Sequence, residues 1–299
     1  MNKRGFAFSF AWLFAIIVGS VIIFLAVYAS TSFLDSEKTI GDTEIGKELG
    51  ILLTPIETST EEGRKSVISL PEKSVVDNDC IDIGNFGSQR IGVGSGVSST
   101  FFNKYIFSSD KITGKELYVF SKRFSMPYKV ADVMFIWSDE EKYCFVDPPE
   151  EVESDVVNLD LNNVEVASAE SECAAESKKV CFSSFGCDVD VFLAEKSVTK
   201  DGEKVYYDDS FDISLLYGAI FSDVGIYECQ VSRLIKRTSE LALIYAEKSD
   251  LVAREGCSSL IDFRSYSNTE INDSSDLAGI GFSAKEIDRQ NENSICEIY

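Results

Sequence analysis

The feature that most constrains this chain is an uncharged run near its start, from Phe6 to Tyr28. A helix of these 23 residues would be about 35 Å long, which is enough to cross a hydrocarbon core of about 30 Å. The apolar region of a removable secretory signal is shorter, at about 7–15 residues. The length therefore predicts a retained transmembrane helix rather than a cleaved signal.

The charges on either side of this run predict its orientation. Lys3 and Arg4 precede it, whereas the first charges after it are Asp35 and Glu37. By the positive-inside rule, the N-terminus lies in the cytoplasm and the rest of the chain lies outside the cell membrane. No later stretch of the sequence is long and apolar enough to cross again. We therefore predict that residues 1–34 form a single-pass anchor that contacts membrane lipid.

Small side chains recur every four residues along the apolar run, at Ala7, Ala11, Ala15 and Gly19. A stripe of this kind lets a second helix approach closely, and close packing drives helix association in lipid. The stripe predicts self-association or contact with another membrane helix. The alternative is chance spacing, because small residues are common in any membrane helix.

The segment NKRGFAFSFAWLFAIIVGSV resembles the class III signal of archaeal type IV pilin-like proteins. In that family a membrane peptidase cuts after the glycine, which is Gly5 here. The apolar helix, then starting at Phe6, packs with its neighbours in a filament core. Many pilins have Glu at the fifth mature position, where this chain has Phe10. The resemblance covers only about the first 30 residues.

Composition limits what the remaining chain can be. Its 299 residues are 44% hydrophobic, which is enough for a core in one large domain or two ordinary ones. The formal net charge is −22, and an acidic surface repels nucleic acids, which proteins bind through basic patches. We therefore predict no nucleic-acid partner. Such a surface attracts cations or a basic partner, and solubility is the plainer interpretation.

Eight cysteines follow the apolar run: Cys80, Cys144, Cys173, Cys181, Cys187, Cys229, Cys257 and Cys296. An even number in a region predicted to lie outside the cell indicates up to four disulfide bonds. The connectivity stays open, although Cys173, Cys181 and Cys187 are close enough in sequence for a local bridge. Zinc is the alternative, but the sequence has no C-x₂-C pair of the kind typical of zinc sites.

Residues 35–60 are predicted to form a stalk between the membrane and the outer domain. Gly41, Gly46 and Gly50 disfavour one continuous long helix, although a short helix from Thr43 to Leu53 is compatible with the pattern. In this respect the chain differs from the long stem helix of many pilins.

Residues 61–224 alternate as strands do, and predict a mostly antiparallel β-rich domain. One predicted hairpin joins VADVMFIW to KYCFV through SDEE, and another turns at Asp201 and Gly202. The segment GVGSG, from Gly92 to Gly96, lacks the ending of a nucleotide-binding loop. We interpret it as a turn or bulge and predict no nucleotide partner.

Residues 225–299 are predicted to be helical. One helix runs from Tyr227 to Glu255 and stops at Gly256, and a second begins at the capping residue Asp276. The second helix carries its apolar face at Leu277, Ile280, Ala284 and Ile287. The predicted fold is therefore α+β, with an N-terminal transmembrane helix, a disulfide-bonded β-rich extracytoplasmic domain and a helical C-terminal part.

The sequence contains no histidine, which limits its chemistry. Ser-His-Asp and Cys-His catalysis are excluded, and the commonest metal ligand is missing. Carboxylate pairs of the glycosidase type remain open, but 50 acidic residues make such pairs commonplace. We predict that the protein is not an enzyme and holds no cofactor.

Two further predictions concern single sites in the outer domain. Calcium prefers oxygen ligands, so clustered aspartates in this domain either bind a calcium ion or form a solvated acidic surface. Its candidate ligands are Asp188, Asp190, Asp208, Asp209 and Asp212. Asn272 begins the one N-x-S/T sequon in the chain and is a glycosylation candidate.

These patterns favour a structural or adhesive cell-surface protein, either a pilin-like subunit or an accessory protein of a surface assembly. A membrane-tethered receptor or solute-binding module is one alternative, and it requires a deep apolar pocket with a few polar groups. An anchored carboxylate-dependent hydrolase is the other, and it requires an acidic pair of perturbed pKa in a cleft.

Overall fold

The computed structural model describes residues 10–57, 64–183, 185–257 and 261–299. The helices found there are α1 (Phe10–Glu57), α2 (Glu150–Leu159), α3 (Ser214–Phe221), α4 (Val224–Arg254), α5 (Phe263–Tyr266) and α6 (Leu277–Glu292). The strands found there are β1 (Arg64–Ile81), β2 (Ser88–Val93), β3 (Ser99–Phe101), β4 (Ile106–Phe107), β5 (Lys111–Ser125), β6 (Lys129–Ser138), β7 (Tyr143–Val146), β8 (Val164–Ala167), β9 (Lys178–Cys181), β10 (Val189–Phe192), β11 (Ser197–Lys200) and β12 (Glu203–Tyr206). The predicted α+β class, with an N-terminal apolar helix and C-terminal helices, is confirmed.

Helix α1 is longer than the sequence predicts. It runs without a break through Gly41, Gly46 and Gly50, so the predicted interruption in residues 35–60 is wrong. Each glycine costs a helix only about 1 kcal/mol relative to alanine, and tertiary contacts can offset that. Gly46 is buried where α1 packs against β2, and a Cβ in its place would lie 3.8 Å from Val93 Cγ2.

The first sheet, sheet A, has the strand order β3-β2-β1-β5-β6-β4. Its neighbours are antiparallel except β4 and β6, which are parallel. Alternate residues of β5 face opposite sides of the sheet. Tyr118 and Phe120 enter a large core with α3 and α4, whereas Leu117 and Val119 enter a smaller core with Ile45 of α1. Helices therefore cover both faces of sheet A.

The second sheet, sheet B, has the order β12-β11-β10-β9-β7-β8. Strands β8, β7, β9 and β10 are parallel to one another, while β10–β11 and β11–β12 are antiparallel pairs. The prediction of mostly antiparallel pairing is therefore wrong for this sheet. Parallel neighbours need a crossover connection, and α2 supplies one between β7 and β8.

One of the two predicted hairpins is confirmed and the other is wrong. Strands β11 and β12 pair through Asp201 and Gly202, which both have positive φ, as a tight two-residue turn requires. The segments VADVMFIW and KYCFV do not pair, because they form β6 of sheet A and β7 of sheet B. Strand β6 instead lies between β5 and β4.

The large core lies between the inner faces of the two sheets and includes α3, α4 and α6. Every residue of α3 is buried. Phe221 at its end stacks on Trp137 of sheet A and meets Tyr143 of sheet B edge-on, both at 4.8 Å between ring centroids. The core draws on both predicted parts of the outer chain, residues 61–224 and 225–299.

The predicted C-terminal helices are confirmed as α4 and α6. Gly256 follows α4 with a φ of 99°, a conformation that suits glycine at a helix end. The predicted apolar face of α6 is buried at Leu277, Ile280, Ala284 and Ile287. Asp276 precedes α6 but makes no capping bond, so that detail is wrong. Its carboxylate accepts instead from the backbone N of Asn272, at 2.8 Å.

Candidate functional site

The first half of α1 is an apolar surface that the rest of the described chain does not cover. The stretch Trp12–Ser30 is long and apolar enough to cross a membrane, and none of it is buried. Within the predicted packing face, Ala15 is exposed and Gly19 is partly exposed. The other predicted positions lie outside the described residues or side chains, namely Gly5, Phe6, Ala7 and Ala11.

The second half of α1 is held on sheet A by the turn between β2 and β3. The buried carboxylate of Asp42 accepts hydrogen bonds from the backbone N of Ser95 at 2.8 Å and from Ser95 Oγ at 3.0 Å. Thr43 Oγ1 accepts from the backbone N of Val97 at 2.8 Å. Ile45 packs against the smaller core. One turn of α1 therefore satisfies two backbone donors of this turn, those of Ser95 and Val97.

Two glycines of the turn make this approach possible. A Cβ on Gly94 would lie 2.9 Å from Asp42 Cγ, and Gly94 has a φ of 53°. A Cβ on Gly96 would lie 2.5 Å from the backbone C of Asp42 and the backbone N of Thr43. The GVGSG segment therefore forms a turn, as predicted, and its glycines leave room for α1.

The predicted disulfide bonds are confirmed, and their connectivity is Cys80–Cys229, Cys144–Cys173, Cys181–Cys187 and Cys257–Cys296. The first ties β1 to α4, and the last ties the end of α4 to the segment after α6. The other two lie on the outer face of sheet B. Glu165 and Glu170 lie near these two bonds, and a disulfide sulfur is not the thiolate ligand that a cysteine offers to zinc.

A buried polar network, which the sequence analysis did not identify, joins α4 to sheet A. Gln230 and Arg233 are fully buried on α4. Gln230 Nε2 donates to Gln89 Oε1 of β2. Gln89 donates to Asn78 Oδ1, and Asn78 donates to Ser108 Oγ at 2.6 Å. The signal in the sequence is a pair of polar residues three apart among apolar positions of a helix.

Arg233 completes the network through backbone acceptors. Its guanidinium donates to the carbonyls of Phe86 at 3.0 Å, Lys104 at 2.9 Å and Phe102 at 3.2 Å. It also donates to Gln230 Oε1 at 2.8 Å. Burial lowers the pKa of Arg233. The side chain thereby holds the β1–β2 and β3–β4 loops against α4.

Two of the calcium candidates, Asp188 and Asp190, bond to backbone N–H groups near the start of β10. Asp188 Oδ2 accepts from the backbone N of Lys179 at 2.8 Å. Asp190 accepts from the backbone N of Gly186 and of Cys187, both at 3.0 Å. These bonds order the loop that the Cys181–Cys187 disulfide closes.

The other candidates lie between β12 and α3. Asp208 accepts from Ser210, and Lys196 pairs with Asp209. Asp212 accepts from the backbone N of Ser125 at 2.7 Å and of Ser214 at 2.9 Å, and burial raises its pKa. Within the described residues, the groups close enough to share an ion contain none of these five aspartates. Calcium binding stays a prediction.

Asn272 is exposed beside an open groove of about 380 Å³. Ser274 of its sequon is buried, and its hydroxyl donates to Glu228 at 2.6 Å. Glycosylation at Asn272 stays a prediction. A chain folded in this way offers the sequon serine no free hydroxyl.

A smaller cavity of about 160 Å³ lies between sheet B and the end of α3. Lys200 of β11 lines it and is only 7% exposed. Its Nζ donates to the carbonyl of Ala219 at 2.6 Å and to the carbonyl of Ser222. Burial lowers the pKa of Lys200 to about 8.

The cavities of the described residues bear on the two alternative functions. The larger grooves, of about 380 and 270 Å³, have mixed polar and apolar linings and open to solvent. A receptor would need a deeper and more apolar pocket. Asp212, the carboxylate with a raised pKa, lines neither groove nor the Lys200 cavity.

Comparison with known proteins adds no information about the function of this chain. No protein-family model, no curated protein and no solved structure matches this chain.

Proposed function

We propose that this protein is a single-pass cell-surface protein with a structural or adhesive role, as a pilin-like subunit or an accessory protein of a surface assembly. The observation that carries the proposal is the division of α1. The apolar stretch Trp12–Ser30 continues, in the same helix, into a segment at Asp42–Gly46 that is bound to sheet A. A helix built in this way holds the domain at a set distance from the apolar end.

The exposed apolar surface supports the membrane part of this proposal. Large uncovered apolar patches are rare on soluble proteins and mark contact with membranes or partners. Side chains such as Ile23 and Phe24 are more than 60% exposed, and lipid or another apolar helix would bury them. Four disulfide bonds support an oxidising, extracytoplasmic location for the domain.

The partners that we propose for the apolar half are lipid and a second apolar helix, from another copy of the chain or another membrane protein. Ala15 and Gly19 are small residues one helical turn apart on the exposed surface. Close packing at such positions drives helix association in lipid. Orientation with the N-terminus in the cytoplasm follows from Lys3 and Arg4.

The first test is the intact mass and N-terminal sequence of the chain taken from its native membrane. We expect recovery in the membrane fraction, a chain that begins at Phe6, and a mass reduced by about eight hydrogens for four disulfides. A chain that retains Lys3 and Arg4 would leave the anchor in place but contradict the pilin-like subunit. Recovery in the soluble fraction would contradict the anchor itself.

The second test measures association of α1 in the membrane. Gly19→Leu places a bulky side chain on the small-residue face, and we expect it to reduce cross-linking between copies at least about tenfold. Ser20→Leu is the matched control, because the adjacent position points about 100° away around the helix. Equal cross-linking in the two variants would contradict packing through this face.

A further inference from the structure

The Lys200 cavity has no part in the proposed function, yet it combines features that no structural role requires together. The amine belongs to a side chain that is only 7% exposed and that nevertheless lines a space of about 160 Å³. The neighbouring charged residues of the lining are Lys178, Asp188, Asp201 and Asp223. A buried lysine that served only to tie α3 to sheet B would need no adjoining space.

The hydrogen bonds of Lys200 orient its amine. Both acceptors, the carbonyls of Ala219 and Ser222, belong to the end of α3. A neutral amine has two N–H bonds and one lone pair in tetrahedral arrangement. When both N–H bonds are donated to α3, the lone pair points away from the helix end, and we infer that it faces the cavity.

We propose that Lys200 is a reactive amine that captures a small aldehyde in this cavity as an imine. The lone pair of Nζ attacks the aldehyde carbon, a C–N bond forms, and a proton moves from nitrogen to the former carbonyl oxygen. The resulting carbinolamine loses water as its C–O bond breaks, which leaves a C=N bond. One amine and one aldehyde thus give one imine and one water, and no oxidant or reductant takes part.

The protonation state of Lys200 supports this chemistry. Burial lowers its pKa to about 8, while Asp223 and Asp201 oppose the shift and Lys178 adds to it. Near pH 8 about half of the amine is neutral, whereas an ordinary lysine with a pKa of about 10.4 is less than about 1% neutral. Lowered lysine pKa values through desolvation are one way in which proteins activate this nucleophile.

The lining favours a neutral, hydroxylated aldehyde of a few carbon atoms. Asp188 and Asp223 each use one carboxylate oxygen to accept a backbone N–H, from Lys179 and Asp110. Their second oxygens are acceptors for a ligand hydroxyl group. The same carboxylates repel an aldehyde that carries its own negative charge. Glycolaldehyde is therefore the fitting probe, and glyoxylate is the matched charged control.

The test is reductive trapping on the intact folded protein at pH 7.5, followed by peptide mass mapping. Glycolaldehyde with cyanoborohydride should modify Lys200 at least tenfold faster than Lys285, an exposed lysine on α6. Lys285→Arg should leave modification of Lys200 unchanged. The rate at Lys200 should level off above pH 8, and the preference for Lys200 over Lys285 should be absent when glyoxylate replaces glycolaldehyde.

Equal or slower modification of Lys200 in the folded protein would overturn the proposal. The same conclusion would follow if the preference persisted in guanidinium, because the reactivity would then come from local sequence rather than from the cavity. Neither result depends on a variant that folds poorly, since both are read on the unaltered chain.

Discussion

The outer faces of sheets A and B are covered by different kinds of contact. The outer face of sheet A is covered by the second half of α1, which Asp42 and the Gly94–Gly96 turn hold in place. The outer face of sheet B carries the Cys144–Cys173 and Cys181–Cys187 disulfides. Sheet A thus depends on a long non-covalent contact with the N-terminal helix, whereas sheet B is closed by covalent links between neighbouring segments.

The inner faces differ as well. Sheet A is joined to α4 by the Arg233 network and by Cys80–Cys229, whereas sheet B meets α3 through aromatic packing and the single amine of Lys200. Hydrogen bonds and one disulfide therefore fix the position of α4 on sheet A. Four substitution experiments should distinguish the contacts of sheet A from those of sheet B. They are given in order of decreasing expected effect.

The largest effect should come from the disulfide that crosses from sheet A to α4. Cys80–Cys229 spans 149 positions and Cys181–Cys187 spans 6. Loop-closure entropy predicts losses in the free energy of unfolding of about 5 and about 2 kcal/mol when each pair is replaced by serine. Guanidinium unfolding of the two double variants measures the difference. Equal losses would show that the loop model does not describe these links.

The second effect concerns the buried guanidinium. Arg233→Met should reduce the free energy of unfolding by about 3 kcal/mol, because the buried carbonyl of Lys104 and the partly buried carbonyls of Phe86 and Phe102 lose their donor. Arg237→Met is the control, since Arg237 Nε has no hydrogen-bond partner in the described structure, and we expect less than about 1 kcal/mol. Urea denaturation midpoints compare the two. A larger loss for Arg237 would contradict the importance of the network.

The third effect is local to α1. Gly96→Ala would place a Cβ 2.5 Å from the backbone of Asp42, and should weaken docking of the helix by about 2 kcal/mol without unfolding the domain. Trypsin cleavage after the exposed Lys47 should then be about thirtyfold faster. Gly279→Ala, where a Cβ meets nothing within 4 Å, should cleave like the natural chain. Unchanged cleavage in Gly96→Ala would contradict the docked helix.

The smallest effect is a pH dependence at sheet B. The pKa of Lys200 is lowered in the folded state to about 8, so the unfolded chain binds more protons between pH 8 and 10.5 and stability rises with pH in that window. From pH 7 to 9 the natural chain should gain about 1 kcal/mol more than Lys200→Met. Thermal or urea unfolding of both chains at pH 7 and at pH 9 measures this difference in stability. An identical pH response in both chains would show that Lys200 is not desolvated.

Burial works in the opposite direction for the core tyrosines. It raises the pKa of Tyr143 and Tyr227 well above the ordinary tyrosine value. Folded pKa values above the unfolded ones mean that stability is present below pH 10 and is lost as pH rises further. The gain from Lys200 should therefore be read below pH 10, before tyrosine ionisation in the unfolded chain reverses it.

Features carried by a single residue type or by one local period could be predicted from the sequence. Burial of Leu277, Ile280, Ala284 and Ile287 followed from helical spacing, and the turn at Asp201 and Gly202 followed from the preference of these residues for positive φ. Pairing of the cysteines followed from their number and absence of zinc spacing. Each of these features depends on neighbours along the chain or on chemistry that does not vary with context.

Strand partners could not be predicted in the same way. SDEE is compatible with a hairpin, yet β6 and β7 belong to different sheets, because pairing is decided by all strands that compete for each edge. The continuation of α1 through Gly46 could not be predicted either, since the strand β2 against which it packs comes from far along the chain. The spacing of Gln230 and Arg233 marks two polar residues on an apolar helix face, but it does not say which carbonyls Arg233 reaches. Lys200 gave no local signal that its amine would be buried.

The sequence by itself determined the long apolar run, the acidic net charge, the number of disulfide bonds and the apolar faces of the C-terminal helices. These follow from transfer free energies, covalent chemistry and helical period, which act residue by residue. Only the tertiary structure decided which strands pair, where α1 docks and which backbone carbonyls accept hydrogen bonds from Arg233 and Lys200. Those outcomes depend on contacts between distant segments, and such contacts form only when the whole chain is packed.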